Sequence, residues 1–278
     1  MIYGVFELET TDSYLKPRMV QLEFFLLSGE IRYIKNYNVT HMRLHRFYTP
    51  LNIEEKKVNS LPDLSIIHQI ENVLRLKYGD RVIFFNGNGL DFESEIVSLG
   101  KNKIMFRVVD TKILKSHSSL KLSLAFSLIK KDNIEWIIQK CTELGVSEFI
   151  PLISERSEKR GFNIKRAKKI AIEACEQSGR GDVPIINEPR MLTEFLDAEK
   201  RKVIVFHTES GGFRKENFGK IKTSESLKLV VCIGPEGGWS EKEISMFREK
   251  GPLITTLDTP ILRAETAAIA VATLLLIE

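Results

Sequence analysis

Hydrophobic and polar positions alternate with two different periods along this chain, and the change falls near residue 118. Between about 47 and 117 the pattern is short and two-fold. Residues 81–85 form an apolar run that stops at Asn86, Gly87, Asn88 and Gly89, a hairpin signature, and 92–97 resumes the alternation beyond it. Residues 103–109 supply another strand. Short strands joined by tight turns predict a small barrel. Ahead of them, Ile66, Ile67, Ile70, Val73 and Leu74 share one face of a helix expected over 64–74, with Ser65 as its cap.

Beyond 118 the period lengthens. Leu122, Leu124, Phe126 and Leu128 alternate as a strand, then Ile134, Ile137, Ile138 and Cys141 recur at helical spacing over 132–144, with Gly145 as the stop. A strand over 149–153 follows, then a helix capped by Asn163 and running through 177. Further strands are expected over 184–186, 203–206, 229–233 and 253–257. Ser240 stands three residues before Glu243, the capping-box spacing, so a helix begins there and runs past Ile244 and Phe247 to Gly251. An apolar C-terminal helix closes the chain. Strands alternating with helices predict an α/β domain whose parallel sheet is covered on both faces. Residues 1–41 hold apolar stretches, such as 22–27, but no sustained period. For them two readings stand: a loosely ordered extension, or residues upstream of a start at Met42.

Composition narrows the function classes. A 278-residue chain that is 43% hydrophobic can bury one large core or two unequal ones. Its apolar runs fall short of the roughly 18 residues of a membrane span, and the N-terminus lacks the order of a secretory signal, which gives a cytoplasmic expectation with no membrane partner. Cys141, Cys175 and Cys232 form no C-x-x-C and read as buried reduced thiols, and the five histidines offer no H-E-x-x-H metal motif. The formal charge of +4 permits an anionic partner. Two clusters make that concrete. Arg43, His45 and Arg46 precede Phe47 and Tyr48, while Arg156, Lys159, Arg160, Lys165, Arg166, Lys168 and Lys169 outnumber Glu155 and Glu158. The first suits phosphate contact with base stacking, and the second suits part of an RNA-binding surface that neutralises phosphates. The alternatives are aromatics that fill the barrel core and a solvated helix face.

The candidate chemistry lies near the C-terminus. Strand 229–233 breaks into Gly234, Pro235, Glu236, Gly237, Gly238 and Trp239, a turn pinned between strand and helix. Glycines let main-chain N–H groups approach a ligand that a Cβ would push away. The spacing fits neither G-x-G-x-x-G nor a phosphate loop, which removes both standard nucleotide motifs. A second signature is Ile261, Leu262, Arg263, Ala264, Glu265, Thr266, Ala267 and Ala268.

Taken together, Gly234-Pro-Glu-Gly-Gly-Trp-Ser-Glu and Leu262-Arg-Ala-Glu-Thr-Ala resemble the signature of the RsmE family, the 16S ribosomal RNA (uracil-N3) methyltransferases of the SPOUT superfamily. Residues 131–151, and 173–184 with Glu176-Gln-Ser-Gly-Arg, are similar to further family motifs, so the resemblance spans 42–278. It implies a PUA-like RNA-binding barrel over 42–117 and a SPOUT methyltransferase domain over 118–278 with a C-terminal trefoil knot. It also implies a homodimer that acts on 16S ribosomal RNA or the small ribosomal subunit, with S-adenosyl-L-methionine held in the knot.

On that resemblance the cofactor is gripped by Ile233, Gly234, Pro235, Glu236, Gly237 and Gly238, and by Leu257, Ile261, Leu262, Arg263, Thr266 and Ala267. His207, Thr208 and Glu209 would form the third loop. A sulfonium cofactor needs neither metal nor covalent nucleophile, and the enzyme has to hold two reactants in line. Uridine N3 is a poor nucleophile until its proton leaves, so a group must accept that proton or stabilise the anionic base. Arg263 matches the family arginine and is the first candidate, its alternative being a salt bridge to Glu265 or the C-terminal carboxylate. Arg180 is expected to act across the dimer. Glu265 is a third catalytic candidate, although it and Thr266 would also serve as helix caps. The pattern departs from the family at Asp258, where glycine is usual, and at Pro260, where the first arginine is missing. A non-catalytic ribosome-assembly factor with the same fold, or the same chemistry on another RNA, are the alternative functions.

Overall fold

The computed structural model describes residues 5–8, 20–27, 30–34, 44–114, 119–158, 161–208, 228–257 and 259–277. It divides the chain into two units, 1–45 and 46–278. In the first, β1 (Val5–Leu8), β2 (Val20–Leu27) and β3 (Glu30–Ile34) pair antiparallel in that order. These strands lie in the segment for which the sequence offers no period.

The second unit begins with a five-stranded sheet in the order β4-β6-β7-β8-β5, from β4 (Arg46–Tyr48), β5 (Val58–Leu61), β6 (Arg81–Phe85), β7 (Leu90–Gly100) and β8 (Lys103–Ile113). The Asn86 to Gly89 turn joins β6 and β7 as expected, with Gly87 and Gly89 at positive φ. Register shifts at Glu93/Ser94 and Ile96/Ser98 bend the long β7–β8 ladder. Phe47, Phe84, Phe92, Ile96, Ile104 and Phe106 fill the core, with Phe84 and Phe106 at 4.2 Å between centroids. Phe47 therefore belongs to the packed interior. The preceding helix is shorter than its periodicity predicts. α1 (Leu64–His68) passes into one π-helical turn, Gln69–Val73, which leaves Val73 exposed. Its cap is Asp63, whose Oδ1 accepts from Ser65 N and Ile66 N at 2.9 and 3.2 Å, and not Ser65. A carboxylate one residue before the helix reaches those two N–H groups directly.

The α/β part holds β9 (Lys121–Ser127), α2 (Lys131–Leu144), β10 (Glu148–Ile153), α3 (Ile164–Ser178), β11 (Ile185–Ile186), β12 (Arg190–Met191), α4 (Leu192–Ala198), β13 (Lys202–Phe206), β14 (Lys228–Ile233), α5 (Glu241–Lys250), β15 (Leu253–Thr255) and α6 (Ala264–Leu276). The sheet is parallel throughout, in the order β11-β10-β9-β14-β13-β15, with β12 also on β10. Strand alternation sends Leu229, Val231 and Ile233 to one face, where α2, α3 and α6 pack, and Val230 and Cys232 to the other, under α4 and α5. This is the doubly covered sheet that the periods predict. Gly145 ends α2 at φ 106° and Asn163 caps α3 through Arg166 N, both as expected. β12 and α4 are additions, too short for a period to reveal. The three cysteines are buried and free, and burial pushes each thiol up and keeps it unreactive.

Barrel and sheet meet at the end of α3. Arg46, read from sequence as a phosphate contact, is buried there. Its Nη2 and Nε donate to Asp91 at 2.5 and 3.2 Å, Nη1 donates to the Cys175 carbonyl at 2.7 Å, and Nη2 also reaches the Arg180 carbonyl at 3.2 Å. A guanidinium with four of its five N–H donors engaged and its side chain only 4% exposed is not presented to RNA. Tyr48 N donates to Glu176 Oε1 at 2.9 Å, and Gly89 N to the Gly181 carbonyl at 3.2 Å, which extends the seam.

Candidate active site

Strands β13, β14 and β15 end level with one another: Phe206 pairs with both Ile233 and Thr255. The segments that leave their carboxyl ends turn toward one cleft of about 470 Å3. His207 and Thr208 follow β13; residues 234–239 follow β14; Thr256 and Leu257 follow β15; Thr259, Pro260, Ile261, Leu262 and Arg263 lead into α6, which adds Ala264 and Ala267. Open α/β sheets bind ligands at this edge because helices cover the faces while strand ends leave main chain available.

The glycine turn is built to stay thin. Gly238 N donates to the Pro235 carbonyl at 2.8 Å, and Gly238 itself sits at φ 69°, where a side chain is disfavoured. Trp239 folds back beneath it, its Nε1 donating to the Phe206 carbonyl at 3.1 Å and its ring edge-on to Phe247 at 5.0 Å. A Cβ on Gly234 would lie 3.2 Å from that indole. The capping box is present: Ser240 Oγ accepts from Glu243 N, and Glu243 Oε2 accepts from Ser240 N at 2.8 Å.

These features fit S-adenosyl-L-methionine. Ile233, Leu257, Ile261, Leu262 and Ala267 give apolar walls for a planar base, and the adjoining main chain supplies polar edges. α6 begins at Arg263 without a side-chain cap, so its first N–H groups remain available to a carboxylate.

Of the residues expected to grip the cofactor, Ile233, Gly234, Pro235, Glu236, Gly237, Gly238, Leu257, Ile261, Leu262, Arg263 and Ala267 all line the cleft. Thr266 does not; it is exposed on α6. Arg263 is exposed at the rim and forms no ion pair among the described residues. Glu265 is turned inward, its Oε2 buried and without a hydrogen-bond partner among the described residues. Arg180 lies elsewhere. Its guanidinium donates to the Thr142 and Val146 carbonyls at 3.0 and 2.6 Å and pairs with Asp182 at 2.8 Å, which ties down the end of α2. Its side chain is 10% exposed, and these bonds give it a structural role within this chain.

Arg156 reaches the glycine turn, and His45 is exposed. Arg43, Lys159, Arg160, Glu209 and Asp258 fall outside the described residues. Glu155, whose carboxylate accepts from Ser240 Oγ at 2.6 Å, had no signal in the sequence, because its partner is 85 residues away.

Two family models match this chain: an RNA methyltransferase domain over residues 116–276 and an RNA methyltransferase PUA domain over 68–109. Fold and site together thus define an RNA methyltransferase with a SPOUT-type parallel sheet and a smaller PUA sheet. More narrowly, the chain belongs to the ribosomal RNA small subunit methyltransferase E family, RsmE. It is 32% identical over 232 residues to the Rickettsia conorii member, covering 82% of this chain and 93% of that one. To the Bacillus subtilis member it is 31% identical over 233 residues, 78% and 91% of the two chains. The solved Neisseria gonorrhoeae ribosomal RNA small subunit methyltransferase E, bound to S-adenosyl methionine, matches with a TM-score of 0.74 at 32% identity, over 83% of this chain and 95% of that one.

Proposed function

We propose that this protein methylates N3 of a uridine in 16S ribosomal RNA, using S-adenosyl-L-methionine, as a cytoplasmic homodimer whose knotted C-terminal region holds the cofactor. The observation that carries the reading is the convergence of both signature segments on one cleft at the strand ends. The bound cofactor supplies a methyl group already activated by its sulfonium. The chain's part is alignment and charge. Main chain of residues 233–238 and the walls at Leu257, Ile261, Leu262 and Ala267 fix one reactant. Arg263, at the rim and without an ion pair among the described residues, stabilises the negative charge that develops on the uracil once its N3 proton leaves. The barrel and the exposed basic side chains of α3, among them Lys165, Lys168 and Lys169, hold the RNA by its phosphates and shape.

The deciding experiment is methyl transfer from labelled S-adenosyl-L-methionine to small ribosomal subunits of a strain lacking the gene, followed by nucleoside analysis. Labelled 3-methyluridine is the expected product. A different methylated nucleoside would overturn the target, and absence of both cofactor binding and transfer would favour a ribosome-assembly factor.

A further inference from the structure

The loop after β10 reaches across to the glycine turn. Arg156 Nη1 donates to the Gly237 carbonyl at 2.6 Å, and the arginine stem lies along the same residue, so that a Cβ on Gly237 would stand 3.3 Å from Arg156 Cδ. One residue earlier, Glu155 Oε2 accepts from Ser240 Oγ at 2.6 Å while Glu155 N donates to Glu243 Oε1 at 2.8 Å. The loop itself is fastened to the sheet: Ser154 Oγ donates to Ser127 Oγ at 2.9 Å, and Glu158 N to the Leu128 carbonyl at 2.9 Å. Sheet holds loop, and loop holds turn.

Three glycines give a turn many conformations to lose on binding, and each one removed beforehand improves affinity. We infer that Arg156 is a positioning residue for the cofactor, its guanidinium and stem setting the Gly237 carbonyl so that the main chain of 234–238 is arranged before the ligand arrives. The inference rests on the reading of the cleft as the S-adenosyl-L-methionine site. Its rival is the phosphate contact that the basic run around Arg156 implies. The two differ in which ligand feels the loss.

The test uses the full chain with Arg156→Met, which keeps the stem and removes the bond, and Arg156→Lys, which restores a cationic donor. Calorimetry without RNA gives cofactor affinity, amide exchange of segment 234–240 in cofactor-free protein gives the order of the turn, and titrations at several salt concentrations give RNA binding. Because the guanidinium is exposed, its charge-assisted hydrogen bond is screened, and Arg156→Met should weaken the cofactor about fivefold. It should also speed exchange in that segment and leave the salt slope for RNA unchanged, while Arg156→Lys recovers part of the affinity. Turnover at saturating cofactor stays within about twofold of wild type, since the bond is the same in ground and transition states. Unaltered cofactor affinity and exchange together with a shallower salt slope would make Arg156 an RNA contact and overturn the inference alone. A wild-type chain that fails to bind S-adenosyl-L-methionine overturns the reading of the cleft, and the inference with it.

Discussion

The two ends of the parallel sheet are held by opposite means. At the amino ends, side chains do the binding: Arg201 donates to Glu148 Oε2 and Ser123 Oγ at 2.5 and 2.8 Å and grips Glu199 at 2.7 Å, while Asn187 Nδ2 donates to Glu148 Oε1 at 2.9 Å. At the carboxyl ends of β13 to β15, main chain carries more of the load: His207 N donates to the Thr255 carbonyl at 2.8 Å, and the Trp239 indole Nε1 to that of Phe206. The first end satisfies its polar groups internally and gains rigidity. The second leaves polar edges for a ligand. One sheet therefore separates stability from chemistry along its own strands.

Four substitutions or conditions sharpen that contrast. The largest effect is expected from Arg263→Ala at the carboxyl end, where loss of a charge stabiliser lowers turnover about 100-fold while calorimetric cofactor affinity holds within about twofold. Equal losses in both would reassign Arg263 to binding. At the other end, Arg201→Met strands Glu148 and Glu199 and should cost about 2–3 kcal/mol in urea unfolding, with cofactor affinity intact. Cofactor affinity that fell with it would break the separation of the two ends.

Acid should act on the same end. Burial raises the Glu148 carboxyl, but its bonds from Arg201, Ser123 and Asn187 outweigh that and leave it below its ordinary 4.5; Arg201 lowers Glu199 likewise. Groups depressed in the fold contribute stability that is present above 4.5 and lost as pH falls through their folded values. Unfolding curves from pH 6 down to about 3 should show that loss in the wild type and a flatter acid limb in Arg201→Met. The smallest change is Ser240→Ala, which removes a cap and should cost about 1 kcal/mol by the same unfolding measurement. It also removes the bond between the Glu155 carboxylate and the turn, leaving only Glu155 N on Glu243, so exchange at Gly238 should quicken.

Much of this contrast was legible in the chain, and the reason is locality. The strands of the large sheet carry their own periods, and Gly234 to Glu243 announces turn, cap and helix within ten positions. What could not be read depends on partners far along the chain. Arg46 sits among basic residues in sequence, yet Asp91 and the Cys175 carbonyl, 45 and 129 positions away, take it inside. Arg180 belongs to a recognisable motif, but its bonds to the carbonyls of Thr142 and Val146, 38 and 34 positions away, could not be read there. α4 covers too few residues for an apolar stripe to stand out, and Asp63 outcompeted Ser65 as a cap by geometry alone.

The buried Arg46 seam has a last consequence. A guanidinium on a barrel strand that binds the Asp91 carboxylate, a carbonyl in the last turn of α3 and another just past it cannot serve as a hinge without stranding a charge. If the barrel grasps RNA as proposed, the span from that grasp to the cleft is a fixed gauge. A transcript with the right nucleotides but the wrong curvature would hold its uridine short of the methyl group, and the protein would measure its target before reacting with it.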